Sequence, residues 1–199
     1  MIEMVDDGCC DFIEDDFDEQ AQASSSSTAS SEKKRQRELL RQIWLATEKD
    51  DMMTCLKILK KETSQLSHAL INQCNSDGWT PLHVAANEGH VDLIELFVEY
   101  GSKLDARSRN FRTPLHIAAI RGNLGVIQAM LMQGSDINAK DLDGNTPCHF
   151  CSEYGHKDCL RYLLLKHPSL FSKNKEGLSP LDVAVNTEIL QVSFSHCRC

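Results

Sequence analysis

A pattern that returns every 33 residues constrains the fold of this chain more than any other feature of its sequence. The motif Thr-Pro-Leu-His starts at residue 80, and related motifs start at residues 113, 146 and 179. A second motif, Ala-Ala-Asn-Glu-Gly-His in its first copy, follows the first three of these motifs at the same spacing. Repetition at such a period predicts a stack of similar units that bury their apolar faces against one another.

Each unit is predicted to hold two short helices and a loop. In the first clear copy, the Thr80 hydroxyl can accept hydrogen bonds from the first amides of a helix, and Pro81 suits the first helical position. Gly89 and Gly101 can end the two helices, since glycine adopts the left-handed conformation readily. The apolar face of the second helix comes from residues at roughly helical spacing: Val91, Ile94, Leu96, Phe97 and Val98.

These two motifs resemble those of the ankyrin-repeat family. The resemblance implies an all-α solenoid of stacked helix-turn-helix units. Three units match it well, at residues 74–106, 107–139 and 140–172. Residues 32–73 are interpreted as a basic approach and a degenerate N-terminal capping repeat, and residues 173–199 as an incomplete C-terminal repeat.

The two flanks depart from the repeat pattern. Residues 63–72 are longer than the usual connection of the family, so the register between the cap and the first clear repeat is open. Near the other end, Glu188 replaces the glycine that would end a helix, and the following positions are poorly apolar. We therefore expect residues 191–199 to fray from the last repeat.

Negative charge is concentrated at the start of the chain. Residues 1–31 hold nine acidic residues and no lysine or arginine, whereas the net charge of all 199 residues is −8. The acidic residues are interspersed with Phe12, Ile13 and Phe17, and a serine-rich stretch follows. We expect a disordered acidic and Ser-rich arm over residues 1–31. Two interpretations of it remain open: a segment that recruits a second protein, and a solubilising tail.

Composition argues against several classes of protein. A general nucleic-acid binder would carry a basic excess, so nucleic acid is not the expected partner. No stretch approaches the ~20 apolar residues of a membrane span, and the first residues lack the pattern of a signal peptide. We expect a location in the cytoplasm, the nucleus or both. The basic run at residues 33–37 has two interpretations, a nuclear-import signal and a solvated approach to the first helix.

The sequence offers no pattern typical of an enzyme. A phosphate-binding glycine loop, a zinc-protease motif and a nucleophile elbow are all missing. His83, His116 and His149 occupy the last position of the repeated motif, where the resemblance implies a hydrogen bond between neighbouring loops. We therefore predict no catalytic residue, no cofactor and no small-molecule substrate.

A cluster of cysteines and histidines supports a competing hypothesis. Cys148, His149, Cys151, His156 and Cys159 lie close together in the sequence, as the ligands of a zinc or thiol-redox site would. The repeat register instead places the three cysteines at core positions, where a free thiol acts as a small apolar group. We therefore predict no metal site, and a metal or thiol-redox role is kept as an alternative function.

The resemblance also implies where a partner binds. Repeat proteins use the surface formed by loop tips and first helices, and aromatic and arginine side chains are common binding hot spots. Phe111 replaces the glycine found in the other loops, so we expect its loop to differ locally. The predicted partner-binding residues are Trp79, Asn87, Glu88, Arg109, Phe111, Arg112, Ile120, Arg121, Leu142, Asn145, Glu153 and Tyr154.

The predicted function is protein binding without catalysis, as an adaptor or regulatory subunit. An alternative is a nuclear transcriptional or signalling regulator whose acidic arm recruits a second protein. We also hypothesise that the acidic residues 3–19 fold back onto the arginines of the second clear repeat, because the charges are opposite.

Overall fold

A computed structural model describes residues 27–184 of the chain. Residues 1–26, with most of the predicted arm, and residues 185–199, with the predicted frayed end, lie outside the described part. Between residues 27 and 184 the chain forms helices and loops without strands, as the all-α prediction requires. The helices are α1 (Ser27–Glu48), α2 (Met52–Lys61), α3 (Ser64–Asn72), α4 (Pro81–Glu88), α5 (Val91–Glu99), α6 (Pro114–Arg121), α7 (Leu124–Met132), α8 (Pro147–Glu153) and α9 (Lys157–Leu165).

Three helix pairs repeat one local structure: α4 with α5, α6 with α7, and α8 with α9. Thr80 caps the start of α4, and its amide donates a hydrogen bond to Nδ1 of His83 over 3.1 Å. The other two pairs begin in the same way: the amide of Thr113 donates to Nδ1 of His116, and the amide of Thr146 donates to Nδ1 of His149. Gly89 and Gly122 end α4 and α6 in the left-handed conformation. The predicted start at Thr80 and the predicted end at Gly89 are confirmed for α4.

The pairs stack into two helical layers. In one layer α4 lies between α1 and α6, and α8 follows α6. In the other, α5 lies between α2 and α7, and α9 follows α7. Ala85 and Ala118 are fully buried in the first layer, where their small side chains allow neighbouring helices to approach closely. Larger buried groups such as Phe97, Met130 and Leu163 fill the second layer.

Helix α1 begins earlier than predicted. Residues 27–31, which the sequence predicts to be part of the disordered arm, belong to this helix. Good helix formers follow them from residue 32, and a helix that has already formed extends by one hydrogen bond for each added residue. Farther along, Leu40, Ile43 and Ala46 bury α1 against the stack. The boundary of the arm therefore moves toward the N-terminus.

Residues 63–72, predicted as a long connection, contain the additional helix α3. Thr63 caps this helix by accepting a hydrogen bond from the amide of Leu66. Leu70 and Ile71 are buried, and the Ser67 hydroxyl donates to the carbonyl of Leu59 over 2.8 Å. The 33-residue pattern has no counterpart of α3, so the repeat register could not reveal it.

The last motif, at residues 179–182, keeps part of the capping geometry. The Asp182 carboxylate accepts hydrogen bonds from the amide and the hydroxyl of Ser179, at 2.8 and 2.7 Å. These bonds lower the pKa of Asp182. Residues 180–183 form a turn. The Asp182 carboxylate thus accepts the hydrogen bond that Nδ1 of histidine accepts in the other repeats. Aspartate has no counterpart of Nε2, the ring nitrogen through which the histidines contact the next repeat.

Candidate protein-binding surface

Four tight turns form a row along one edge of the stack. We call them the tip row: residues 75–79, 108–112, 141–145 and 174–178. In each turn, the amide of the first residue donates to the carbonyl of the fifth over 2.9 or 3.0 Å. Backbone hydrogen bonds also join neighbouring turns: Arg109 to Asp77, Leu142 to Asn110 and Lys175 to Asp143. The row is therefore a connected scaffold that can hold exposed side chains at defined positions.

Phe111 occupies an unusual backbone conformation within this row. The corresponding residues of the other turns, Gly78, Gly144 and Gly177, have φ angles of +74°, +79° and +78°, and Phe111 has +56°. Its amide donates to the carbonyl of Ser108 over 2.8 Å, as the amide of Gly78 does to Asn75. The prediction that this loop differs locally is wrong, because the phenylalanine adopts the conformation of the glycines.

The side chain of Phe111 is also exposed. About half of the residue, 47%, is accessible to solvent. The guanidinium of Arg107 lies over the ring at 5.6 Å from its centre. Arg107 was missing from the predicted binding residues, since the sequence gives no sign that its side chain crosses the turn toward Phe111. An aromatic ring under a cation is therefore displayed on the tip row.

Trp79 lies differently from Phe111, although both were predicted to bind a partner. Trp79 is partly buried, and its indole stacks on the ring of His83 with 6.1 Å between the centres. The indole thus covers the capping histidine of its own repeat. Of the two aromatic side chains, Phe111 is the more available to a partner.

Arg112 and Asn145 are engaged in contacts between repeats. The Arg112 guanidinium lies 3.4 Å from the buried carboxylate of Asp141 and 4.9 Å from the centre of the Phe150 ring. The side-chain oxygen of Asn145 accepts a hydrogen bond from Asn174 over 2.9 Å. Both side chains are partly buried, and the structure gives them a role in joining repeats.

The ends of the first helices provide a second group of side chains beside the tip row. Arg121 donates to the side chain of Asn87 over 2.8 Å, and Asn87 donates to the carboxylate of Glu88 over 2.7 Å. Tyr154 is 53% exposed, and its ring stacks on His156. Glu153 is exposed, whereas Ile120 packs partly against the core.

The predicted binding residues therefore separate by exposure. Trp79, Arg112, Ile120 and Asn145 are partly buried between repeats, and so is Asn87. The exposed members, which we call the display set, are Glu88, Arg109, Phe111, Arg121, Leu142, Glu153 and Tyr154.

The motif histidines connect successive repeats, as the resemblance implied. Nε2 of His83 lies 3.0 Å from the carbonyl of Arg112, and Nε2 of His116 lies 3.1 Å from that of Asn145. His149 makes the corresponding contact with Leu178. Burial lowers the pKa of His83 and of His116 to about 4, so both rings are neutral at physiological pH. These rings are structural links, each with both nitrogens engaged.

The cysteines of the cluster lie in the core. Cys148, Cys151 and Cys159 are almost completely buried. Burial raises the pKa of Cys148 to about 12, and the contact with Cys159 together with burial raises the pKa of Cys151. Cys148 and Cys151 therefore remain protonated at neutral pH, which disfavours nucleophilic reaction and metal binding by these two thiols, whereas the hydrogen bond with Cys151 lowers the pKa of Cys159. Between residues 27 and 184, histidine, cysteine and acidic side chains form no cluster of three that could hold a metal ion.

The helices of the described part are also too short or too polar to cross a membrane.

The repeat pattern matches a protein-family description over most of the chain. That description is ankyrin repeats in three copies, and it matches residues 43–141 and 131–192. No curated protein matches the chain. The matched residues contain the three helix pairs, their threonine and histidine caps and the tip row. On this match and this architecture, the chain belongs to the ankyrin-repeat family.

Proposed function

We propose that this protein binds another protein through the display set, as a non-catalytic adaptor or regulatory subunit. Membership of the ankyrin-repeat family indicates a protein-interaction module in general. The conformation and exposure of Phe111 support the choice of this surface more than any other observation.

The backbone conformation of Phe111 carries an energetic cost. A left-handed conformation costs a residue with a side chain roughly 1–2 kcal/mol, and glycine avoids that cost. Three of the four turns have glycine at this position. Because nearly half of the residue is exposed, a large part of the burial that could offset this cost is absent in the isolated chain. Local strain of this kind is typical of functional sites, and covering the ring with a partner supplies the missing gain.

The neighbours of Phe111 suggest the chemistry of the partner. Leu142 lies on the next turn and is 48% exposed, and its amide bonds to the carbonyl of Asn110. Arg107 lies over the ring of Phe111. A partner segment that combines an apolar side chain with an acidic group would satisfy these residues. Aromatic and arginine side chains are also the types most often found at interface hot spots.

Neither alternative function gains a specific supporting observation. The basic run at residues 33–37 lies within helix α1, where Arg35 forms a two-point contact with Glu62. The cysteines of the proposed metal or redox cluster are packed in the core. Protein binding by the display set therefore remains the proposal.

Phe111→Gly provides the test, because glycine is compatible with the backbone at this position. The matched control is Phe171→Ser, which removes another exposed phenylalanine from a loop outside the tip row. Tagged full-length chains are expressed in cells, and co-purifying proteins are quantified by mass spectrometry. We expect at least one partner to be retained by the wild type and the control and to fall at least about tenfold with Phe111→Gly, which corresponds to a loss of about 1.4 kcal/mol. Equal recovery with both variants would exclude Phe111 from the binding surface.

A further inference from the structure

Helix α2 presents a group of cations on the surface of the first unit. Three exposed lysine side chains lie along one face of this helix. We call this group the basic face: Lys57, Lys60 and Lys61. It lies outside the display set.

One ion pair brings the two helices together at this place. Both terminal oxygens of Glu62, which follows the end of α2, lie 2.8 Å from the guanidinium of Arg35 on α1. Lys60 and Lys61 immediately precede Glu62, and Lys57 lies one helical turn earlier on the same face of α2. The three lysines therefore lie on one face of α2, near the point where α1 and α2 meet.

The acidic residues near the basic face already have partners. Glu32 and Glu62 both contact Arg35, and Glu38 contacts Arg41. Within residues 27–184, none of the three lysines forms an ion pair with a carboxylate, although hydrogen bonds from Thr54 and the charge of Lys57 both lower the pKa of Asp51. The net positive charge of the basic face favours an acidic ligand there.

The chain itself contains a segment of the required charge. Residues 11–19 hold six acidic residues and no basic residue. They are joined to the start of α1 by residues 20–26, a stretch that spans at most about 29 Å between Glu19 and Ser27. Arg35 lies only about 12 Å along the helix from Ser27. The acidic segment can therefore fold back along α1 and reach the basic face.

We propose that the basic face of α2 binds the acidic residues 11–19 of the same chain. An apolar contact is available as well, since Met53 is 58% exposed and lies one turn before Lys57 on α2. Phe12, Ile13 and Phe17 supply apolar side chains within the acidic segment. The short link between the segment and α1 raises its local concentration at this face above that of a separate acidic protein.

This location replaces the fold-back onto the second clear repeat that the sequence suggested. There, Arg112 is paired with Asp141, and Arg121 donates to Asn87. The lysines of the basic face form no ion pair among the described residues, and they are much nearer along the chain to the acidic segment. Charge and reach both favour α2.

Zero-length crosslinking of the full chain tests the proposal. A carbodiimide joins lysine amines to carboxylates in direct contact, and mass spectrometry identifies the joined residues. We expect links from residues 11–19 to Lys57, Lys60 and Lys61 in the monomer. Links to Lys33 and Lys34 are less informative, because these residues are close in sequence. Raising the ionic strength from about 0.01 M to about 1 M shortens the Debye length from about 30 Å to about 3 Å, and the yield should fall at least threefold.

A pair of triple variants provides the control. Lys57→Gln, Lys60→Gln and Lys61→Gln together should shift arm links away from α2 and increase the protease sensitivity of the arm. Lys140→Gln, Lys173→Gln and Lys175→Gln remove three equally exposed lysines near the tip row and should change neither. Links from the arm to Lys140, Lys173 or Lys175, links found only in dimers, or a yield that is independent of salt would each overturn the proposal.

Discussion

Phe111 has the left-handed backbone conformation, whereas the equivalent positions of the other turns have glycine. Among the described residues, two other non-glycine residues have positive φ angles, Asp50 and His167. Aspartate and histidine belong to the residue types that tolerate this region best, whereas a bulky aromatic residue is a true outlier. The strain at Phe111 therefore calls for a functional explanation more than the strain at the other two positions does.

Phe111→Gly should make the isolated protein more stable. We expect the free energy of unfolding to rise by about 1 kcal/mol, since relief of the left-handed strain exceeds the loss of an exposed contact with Arg107. Urea denaturation of wild type and variant measures the difference. A less stable variant would show that ring contacts, and not partner binding, maintain phenylalanine at this position.

The motif histidines illustrate how one side chain can serve two repeats. Nδ1 of His116 accepts from the amide of Thr113 within its own repeat, and Nε2 bonds to the carbonyl of Asn145 in the next. Nε2 can donate to that carbonyl while Nδ1 accepts, which requires a neutral ring. Protonation would place a proton on Nδ1 against the Thr113 amide. Burial and this hydrogen-bond arrangement therefore both disfavour the charged form.

Acid should destabilise the protein through these rings. The pKa of His83 and His116 is about 4 in the folded protein and near 6.5 in the unfolded chain, so the unfolded state binds more protons between these values. The contribution of each neutral ring to the free energy of unfolding is fully present above pH 6.5 and is lost as the pH decreases toward 4. The loss is up to about 2 kcal/mol per ring between pH 7 and 5. Urea unfolding across this range measures the slope. His116→Gln should be less stable at pH 7 but show a shallower slope, and an unchanged slope would exclude His116 as a contributor.

At the scale of elements, the first unit differs from the repeats that follow it. Helix α1 is 22 residues long, whereas α4, α6 and α8 have seven or eight. The contact between Arg35 and Glu62 fixes α1 beside the end of α2, and the Glu62 side chain is only 4% exposed there. A nearly buried carboxylate without its cation is unfavourable. This ion pair therefore supports the part of α1 that extends beyond the core.

Arg35→Ala should destabilise the first unit by about 1 to 2 kcal/mol, because it leaves Glu62 without its partner. Arg37→Ala is the matched control, since Arg37 is exposed and forms no ion pair within the described residues. We expect that control to change stability by less than about 0.5 kcal/mol. Chemical denaturation followed by circular dichroism gives both values. Equal effects of the two substitutions would contradict the assigned role of the ion pair.

Helices with a repeat motif could be predicted from the sequence, and the one without a motif could not. The helices α4, α6 and α8 each begin at a threonine followed by a proline, and glycine ends the first two of them. The helices α5, α7 and α9 follow at the repeat spacing with apolar residues along one face. These are local signals. Helix α3 depends on burial of Leu70 and Ile71 and on a hydrogen bond from Ser67 to Leu59. Its nine residues are too few for a stable isolated helix, so tertiary packing supplies most of its stability.

At the scale of the whole molecule, each repeat touches mainly its neighbours. Links between successive repeats come from the motif histidines, from Asn123 bonding to the carbonyls of Ala86 and Asn87, and from His156 bonding to that of Ile120. In such a stack, stability is close to a sum of repeat and interface contributions. Opening that starts at either end of such a stack reaches the central repeat last, so that repeat should be the most protected.

Hydrogen exchange should show this gradient. We expect amides of α6 and α7 to exchange most slowly, and those of α9, which packs against α7 on one side, to exchange faster. Exchange followed by mass spectrometry on the full chain gives protection for each helix. Uniform protection of α4 to α9 would indicate that the stack opens as a single cooperative unit.

The sequence by itself determined the repeat period, the helix starts and ends within each repeat, and the core positions of the cysteines. All of these depend on interactions between residues close in the chain or on one pattern applied several times. The tertiary structure alone decided which candidate side chains are available. Arg112 pairs with Asp141 and Trp79 stacks on His83, whereas Phe111 has the backbone conformation of the glycines in the other turns and is exposed. Exposure depends on the packing of neighbouring repeats, and residue type alone does not specify that packing.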